Sequence, residues 1–367
     1  MKLFLVCNSL GGGGAERVHV NLANGFAQHG HDVYLIADVN QPVSYPVDER
    51  VHILPLCPKT DNKLVKWAKS ISMLRKNIKQ YRPDIVIGNM HLCSFMSRLA
   101  AVGTRVPVVL TIHNALERPP SYRVSRLLVF CDEYMPYFYK SVTVLTEADK
   151  EHLGNRNNIT VMPNPISFSP VDSIEDKTPY VLAAGRLDGW YVKGFDLLIK
   201  AWGRIMNSEE SKVRDLGWEL HIAGSGSEEN LAYLKGLCKE NGVEETVVFL
   251  GYVSDMQTLY RKASIYCLSS RSEGFPMVLI EAMSQACAPV ATDFKGRTLE
   301  VVGDKMKDIL CQPEDVNTIA SRLSLMIADI EYRKEKQLCA LERSKSYSID
   351  NVVQKWYDLF SKLGVSV

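Results

Sequence analysis

Two glutamates in the stretch RSEGFPMVLIEAM, residues 271–283, are the clearest candidates for chemistry in this sequence. Glu273 precedes a Gly-Phe-Pro turn, and Glu281 lies about one turn into a predicted helix with Pro276 at its first position, where proline is well tolerated. Eight residues turn a helix by about 80° beyond two full circles, so the two carboxylates need different partners. A ribose could satisfy Glu281. Alternatively, both charges only complement the helix dipole, at about 0.3–1 kcal/mol each.

Cations and backbone N–H groups at predicted loops could bind phosphate. Arg186 and Lys193 follow the predicted strand YVLAAG and precede a helix predicted from Phe195, so both could neutralise a diphosphate. The N–H groups of Met277 and Val278, at the predicted start of the helix after Pro276, could bind the same group. Either cation taken alone is better explained as a solvated surface residue, and the placement of both on one loop after a strand favours the phosphate site.

A run of four glycines, Gly11 to Gly14, stands between the first predicted strand and a helix in NSLGGGGAERVHVNLA. Glycine lets backbone approach a ligand, and the helix N-terminus attracts anions. The run does not have the G-x-G-x-x-G spacing of a dinucleotide fingerprint. A flexible turn without a ligand remains the alternative.

Predicted strands that alternate with amphipathic stretches must position these residues. The apolar runs predicted as strands are KLFLV, DVYLIA, DIVIG, VPVVLTI, SVTVLT, YVLAAG, ELHIAG, VVFLG and SIYCLS. Such alternation predicts an α/β fold with parallel sheets, and the proline-rich segment NITVMPNPISFSPVDS predicts a linker. We therefore expect two Rossmann-like domains facing each other across a cleft, an N-terminal one over 1–165 and a C-terminal one over 166–349. Residues 350–367 are expected to form a helix that crosses back to the N-terminal domain. Ligands of such sheets bind at the C-terminal ends of the strands.

Composition excludes several classes of protein. The chain is 46% hydrophobic and 23% charged, its longest apolar runs are shorter than the roughly 20 residues of a membrane span, and its first apolar run is too short for a signal peptide. A cytoplasmic protein is therefore expected. Residues 1–165 carry six more cations than anions, which favours an anionic partner or an anionic membrane surface, although a solvated charge distribution explains the bias as well. No nucleic-acid partner is expected.

The segments GGGGAERVHVNLA, TIHN, VMPNPI, IAGSGSEENL and SRSEGFPMVLIEAMSQACAPVATDF together resemble the retaining GT-B glycosyltransferases called glycosyl transferases group 1, or family four. The two glutamates eight residues apart around EGFP carry most of the resemblance. It implies that the chain is an enzyme of the hexosyltransferase type, which uses a nucleotide-diphosphate sugar.

The resemblance also implies roles for individual residues. Arg186 and Lys193 would hold the donor diphosphate and stabilise the departing nucleotide, Glu281 would bind the ribose, and Glu273 would contact the sugar hydroxyls. His113 in TIHN would reach the sugar near the reacting carbon. Without the resemblance, His113 reads as a hydrogen-bonded histidine at a strand end. Further donor-binding positions would be Gly13, Gly14, Gly224, Val253, Gly274, Phe275, Met277 and Val278.

Three departures from the family pattern affect these assignments. The connection between Leu187 and Lys193 is longer than usual, which leaves the reach of Lys193 open. Gly296 and Arg297 stand where the family commonly has two glycines. The glycine run at residues 11–14 is also longer, so which glycine meets the ligand is undecided.

The expected chemistry needs no metal and no cofactor. The sequence has no Asp-x-Asp, so the two cations and the helix start would stabilise the leaving diphosphate. Retention by front-side attack is favoured over a covalent intermediate on Glu273. UDP is a guess, made because UDP is common in the family. The alternatives are a GT-B nucleotide-sugar epimerase and a non-catalytic two-lobed ligand-binding protein; a nicotinamide dehydrogenase is disfavoured because Glu229 replaces the third glycine.

The front half of the sequence contains two hints about the acceptor. Residues 63–82 form an amphipathic pattern with seven Lys or Arg residues, which suits either peripheral contact with the inner face of a membrane or a core-facing helix with a solvated basic face. The aromatic cluster CDEYMPYFYKS and the loop NALERPPSYR could shape an acceptor site or a membrane contact. A lipid-linked or envelope polysaccharide acceptor is the hypothesis.

Overall fold

Each apolar run predicted as a strand forms one in the computed structural model, which describes residues 1–11, 13–56, 62–117, 125–208 and 213–366. The chain divides into two α/β units. Unit 1 comprises Met1–Pro165 together with Ile349–Val367, and unit 2 comprises Ile166–Ser348. Each unit has one parallel sheet with helices, so the predicted α/β class with two Rossmann-like sheets is confirmed.

The sheet of unit 1 has seven parallel strands in the order β3-β2-β1-β4-β5-β6-β7. The order reverses between β1 and β4, which creates a crevice at the C-terminal edge of those strands. The strands are β1 Lys2–Val6, β2 Asp32–Ala37, β3 His52–Pro55, β4 Ile85–Asn89, β5 Val108–Thr111, β6 Ser141–Val144 and β7 Ile159–Val161.

Amphipathic helices cover this sheet with their apolar faces, except α4, whose only buried residue is Asp132. Phe26 of the first helix packs against Trp356 and Phe360 of the last one, so the end of the chain belongs to the core of unit 1. The helices are α1 Gly14–Gln28, α2 Lys63–Tyr81, α3 Met90–Ala100, α4 Arg126–Tyr134, α5 Glu147–His152 and α14 Ile349–Lys362. A 3-10 helix, Met135–Phe138, follows α4.

Unit 2 repeats the plan with six parallel strands in the order β10-β9-β8-β11-β12-β13. Its order reverses between β8 and β11. The strands are β8 Thr178–Ala184, β9 Glu219–Ala223, β10 Val247–Gly251, β11 Ala263–Leu268, β12 Ala288–Thr292 and β13 Leu310–Cys311. The helices are α6 Trp190–Lys193, α7 Phe195–Asn207, α8 Glu228–Glu240, α9 Met256–Lys262, α10 Met277–Ser284, α11 Arg297–Val302, α12 Val316–Ala328 and α13 Ile330–Ser344.

Helix α2 buries most of its apolar stripe in the core of unit 1. Leu74 and Ile78 are buried, and Ile71 and Tyr81 pack against the same core cluster. The structure therefore favours the core-facing interpretation of residues 71–81; only Trp67, near the helix start, adds a substantially exposed aromatic ring. No helix of the described residues is long and apolar enough to cross a membrane.

Candidate active site

The loops after β8 and β11 flank the point where the strand order of unit 2 reverses, which is where open α/β sheets bind ligands. The β8 loop carries Arg186 and Lys193, and the β11 loop carries Glu273. The structure brings the last two together: Lys193 Nζ lies 2.8 Å from Glu273 Oε1, and Ser270 Oγ donates to the same oxygen at 2.7 Å. Lys193 and Glu273 are both only partly exposed, so water screens this pair less than a surface pair.

A compact connection brings Lys193 to this position. The connection between Leu187 and Lys193, which is longer than the family pattern, folds into a 3-10 turn, Leu187–Gly189, and the single helical turn α6. Gly194 then takes a left-handed conformation, with φ at 65°, and packs so closely on the residue directly after β11 that a Cβ would stand 1.9 Å from the Ser269 carbonyl oxygen. Only glycine allows this approach. The connection therefore brings Lys193 back to the end of β11.

Arg271, on the β11 loop, connects this loop to the β8 loop and to the helix that follows it. Its Nη1 and Nη2 donate to the two carboxylate oxygens of Asp196 at 2.7 and 2.8 Å, and its guanidinium lies 4.1 Å from the centre of the Tyr191 ring. Burial lowers the pKa of Arg271, but the hydrogen bonds and charge of Asp196, together with smaller effects of Tyr191 and Glu314, outweigh burial, so the net shift is upward. The backbone N–H of Arg271 also donates to the Val192 carbonyl at 2.8 Å. These contacts hold the β8 loop on both sides of Lys193.

Helix α10 begins one residue later than predicted, with Pro276 as its N-cap. The Met277 N–H donates to the Phe275 carbonyl at 2.8 Å, so it does not point out of the helix start as expected, because the tight turn at Phe275–Met277 uses it locally. The Val278 N–H remains a predicted phosphate donor. Glu281, one turn further, is 2% exposed and accepts from Ser167 Oγ at 2.9 Å.

The other predicted residues of unit 2 lie on strand ends or loops around this crevice. Arg186 is exposed directly after β8. Gly224 follows β9, and a Cβ there would stand 1.8 Å from the Gly185 carbonyl oxygen, so the backbones of the two loops touch. Val253 follows β10, and Gly274 precedes Phe275 on the β11 loop. Arg297 begins α11 and is fully buried, its guanidinium 5.7 Å from the centre of the Phe294 ring.

In unit 1, His113 follows β5 at the C-terminal edge of the sheet. Its Nδ1 lies 3.1 Å from Asn164 Oδ1, which accepts, so the neutral ring carries its proton on Nδ1 and a lone pair on Nε2. Nε2 is buried without a hydrogen-bond partner among the described residues. Burial lowers the pKa of His113 to about 4, against a smaller opposite effect of Asn164. The buried His19 ring lies edge-on at 5.4 Å between ring centres.

The glycine run of unit 1 leads into α1 at the reversal of strand order. Gly13 is the N-cap, its carbonyl accepts from Tyr45 Oη at 3.0 Å, and Gly14 is the first residue of the helix. A Cβ on Gly14 would meet nothing within 4 Å, so open space lies beside it. Gly12 lies outside the described residues, as does part of the loop NALERPPSYR.

Sequence reasoning missed the side chains that hold the predicted ones. Asp196, Ser270, Arg271, Asn164 and Ser167 each bind or fix a predicted residue or its loop. The signal for Arg271 was its place as the first residue of the glutamate motif; the others had no signal in a single sequence. Across the ranges that the structure describes, no three His, Cys, Asp or Glu side chains are grouped as metal ligands would be.

Profiles of known families match both halves of the chain. The one described as "Glycosyl transferases group 1" matches residues 178–329, and the one described as "Glycosyltransferase Family 4" matches residues 12–169.

Individual proteins match along nearly the whole length. An uncharacterized glycosyltransferase of Haemophilus influenzae is 30% identical over 96% of this chain and 98% of its own. A Campylobacter jejuni protein named GalNAc-alpha-(1->4)-GalNAc-alpha-(1->3)-diNAcBac-PP-undecaprenol alpha-1,4-N-acetyl-D-galactosaminyltransferase is 27% identical over 99% of both chains. Among solved structures, Anabaena HepE in complex with UDP and glucose superposes with a TM-score of 0.76, at 18% identity over 98% of this chain and 99% of its own.

Proposed function

Because this chain belongs to the group 1 glycosyltransferases and has their GT-B fold, we propose that it transfers a sugar from a UDP-sugar to a lipid-linked or envelope polysaccharide acceptor. We further propose that the transfer retains the anomeric configuration and needs no metal. The names of relatives support the acceptor class, since one of them acts on a PP-undecaprenol glycan. The UDP in the HepE complex supports the donor.

The single observation that carries the proposal is the 2.8 Å contact between Lys193 and Glu273 at the strand reversal of unit 2. As the bond from sugar to diphosphate breaks, negative charge grows on the diphosphate. Fixed cations aimed at that charge stabilise the transition state more than the ground state. Lys193 and Arg186 are proposed to supply this charge, and Glu281 to bind the ribose beside Ser167.

Glu273 is proposed to bind sugar hydroxyls rather than to attack the sugar. Its Oε1 already accepts hydrogen bonds from Lys193 and Ser270, which lowers its nucleophilicity and fixes its orientation. A second carboxylate across the sugar, as in glycosidases, is not needed if the departing phosphate removes the acceptor proton. His113, which is partly exposed at the C-terminal edge of the unit 1 sheet, is proposed to contact the sugar.

The test is an acceptor-dependent transfer assay in the presence of EDTA. The protein is incubated with UDP-, GDP- and ADP-sugars and a lipid-linked glycan, released nucleotide is quantified, and the product anomer is assigned by NMR. We expect UDP release only with acceptor, and retention of configuration. Release without acceptor transfer, or an inverted product, would contradict the corresponding part of the proposal.

Lys193→Ala supplies the matched comparison in the same assay. We expect kcat/KM to fall by about 10²–10³-fold, the usual cost of removing one preorganised charge donor. Lys235→Ala, at an exposed lysine on helix α8, should leave kcat/KM unchanged. Equal activity of Lys193→Ala and wild type would contradict the proposal that Lys193 stabilises the leaving diphosphate.

A further inference from the structure

A long apolar groove lies in unit 1 between helices α3 and α4. The groove has a volume of about 1200 Å³, and its walls come mainly from these two helices and from the segment that joins α3 to β5. On α3 the lining residues include Leu92, Phe95 and Leu99, and on α4 they include Leu127 and Phe130. Spacings of three and four residues put each set on one helix face.

These two helix faces are exposed to solvent although they consist of leucine and phenylalanine side chains, whose burial is favourable. Leu127 is 71% exposed and Phe130 57%, and the three residues on α3 are each more than a third exposed. An exposed apolar surface of this extent commonly marks a binding site. Trp67 of α2 stacks on Phe95 with 5.4 Å between ring centres, which extends the wall.

The groove begins at the sheet edge that carries His113. Helix α3 starts directly after β4, and Met90 Sδ accepts from the backbone N–H of His113 at 3.3 Å. His91 Nε2, in the first turn of α3, lies 3.2 Å from Asp132 Oδ1 on α4 and so connects the two walls at this end. From there α3 runs for ~16 Å to the opposite edge of the sheet, at the usual rise of 1.5 Å per residue.

The opposite end of the groove is cationic. Arg98, Arg105 and Lys140 line it, and no carboxylate is among the described residues that line the groove. Arg98 is fixed 5.3 Å from the centre of the Tyr139 ring. This end therefore complements anionic lipid phosphates, while the body of the groove offers few hydrogen-bonding groups. A peptide would leave its backbone N–H and C=O groups unpaired there, whereas a hydrocarbon chain has none to pair.

We propose that this groove binds the polyisoprenyl chain of the acceptor lipid. The chain would enter from an anionic lipid surface at the Arg98 end and run along α3, so that the glycan attached to it reaches the edge of the sheet at His113. The inference rests on the proposed function for the identity of the acceptor. All the residues that line the groove belong to unit 1.

The test measures binding without any sugar donor, so that it stands apart from the transfer assay. The probes are inorganic phosphate, farnesyl monophosphate, geranylgeranyl monophosphate and undecaprenyl monophosphate, the last in detergent micelles. We expect no binding of inorganic phosphate and a Kd that falls as the chain lengthens. Leu127→Asp should raise the Kd for geranylgeranyl monophosphate about tenfold or more, because a carboxylate opposes an apolar ligand.

Matched variants separate binding from folding. Leu338→Asp places the same charge at a leucine of similar exposure, 58%, on α13 of unit 2 and should leave the Kd unchanged. Phe130→Ala, a milder change on the same wall as Leu127, should weaken binding by a smaller factor while the far-UV circular dichroism spectrum stays the same.

Three results would overturn the proposal: equal binding of all chain lengths, no effect of Leu127→Asp on a folded protein, or retention on anionic phosphatidylglycerol vesicles without binding of free polyisoprenyl phosphates. The last would make the surface a bilayer contact. Binding of the chain together with a failure of sugar transfer would instead contradict the proposed function and leave the groove assigned.

Discussion

At the residue scale, a guanidinium that binds a carboxylate through two nitrogens and also stacks on an aromatic ring has little freedom to move. Arg271 is in that position, held by Asp196 and Tyr191. Because its backbone N–H also reaches the Val192 carbonyl, it fixes the backbone next to Lys193. We therefore infer that Arg271 positions Lys193 without touching the donor itself.

Replacing Arg271 by lysine tests this positioning role. Lysine keeps the charge but cannot bind both Asp196 oxygens at once, so we expect kcat/KM for the donor to fall about tenfold. The same change in a Lys193→Ala background should have little further effect, since the group to be positioned is gone. Arg261→Lys, at an exposed ion pair with Glu175, is the control that should stay near wild type. Additive losses in the double variant would contradict the inference.

The pKa of His113 makes a prediction about pH. In the folded protein it is about 4, below its ordinary value of 6.5, so between those values the unfolded chain binds a proton that the folded protein does not. Stability due to this histidine is therefore present above pH 6.5 and is lost as the pH falls towards 4. Urea titrations at pH 7 and pH 5 should show wild type losing about 2 kcal/mol more than His113→Gln. An equal loss in both proteins would contradict the buried neutral state.

A single residue could be predicted when its position in a motif or after a strand indicated its role, and not when that role depends on a partner distant in sequence. Lys193 could be proposed because it follows a predicted strand together with Arg186, and Glu273 because it belongs to the motif that carries the family resemblance. Asp196 could not, since an acidic residue in the first turn of a helix usually only complements the dipole. Its partner Arg271 lies 75 positions away in sequence, and only the fold brings the two together.

At the element scale, strands with buried, β-branched apolar runs were predictable, and exposed or proline-containing strands were not. The runs at β1, β2, β4, β5 and β6, and at β8 to β11, were recognised from their composition. Strand β12 was not predicted as a strand, because its sequence APVAT contains Pro289 and small residues, which argue against a central strand. Strand β3 is four residues long at the edge of its sheet and is mostly exposed, so it has no apolar alternation to detect.

Replacing glycine by alanine should have opposite effects at two helical positions, one in the contact between α1 and α14 and one on the open surface of α8. A Cβ on Gly25 of α1 would lie 2.4 Å from Ile349 Cγ1, whereas a Cβ on Gly236 of α8 would meet nothing within 4 Å. Gly25→Ala should therefore destabilise the protein by about 1–3 kcal/mol, and Gly236→Ala should stabilise it by about 0.5–1 kcal/mol through helix propensity. Chemical denaturation measures both.

Ile349→Ala supplies the check on the cause. If the clash with the Ile349 side chain is the reason, Gly25→Ala should cost less in the Ile349→Ala background than in wild type, because the space is then free. A destabilisation of the same size in both backgrounds would indicate some other effect of Gly25.

At the scale of the whole molecule, the two units contain different candidate residues for the proposed function. Unit 2 holds the cations and the two glutamates, and unit 1 holds His113 and the apolar groove. The sequence predicted the two sheets because each begins with an apolar strand followed by a glycine-containing loop, and a proline-rich segment separates them. It could not predict the groove, because exposure of α3 and α4 depends on what packs beside them and not on their own composition.

Nucleotide binding by the whole chain tests the metal-independent diphosphate site that we propose in unit 2. A nucleoside diphosphate held by Lys193, Arg186 and Glu281 should stabilise the folded protein by about 2.7 kcal/mol when present at 100 times its Kd. For a unit of this size that corresponds to a rise in Tm of about 5–10 °C.

We expect UDP to give the largest rise in Tm among UDP, GDP and ADP, and we expect the rise to be the same with EDTA as with Mg²⁺. Because charge neutralisation would then come from side chains alone, Lys193→Ala should reduce the shift in both buffers while Lys235→Ala leaves it intact. A shift seen only with Mg²⁺ would mean that a cation shares the diphosphate, and the roles given to Lys193 and Arg186 would then be wrong.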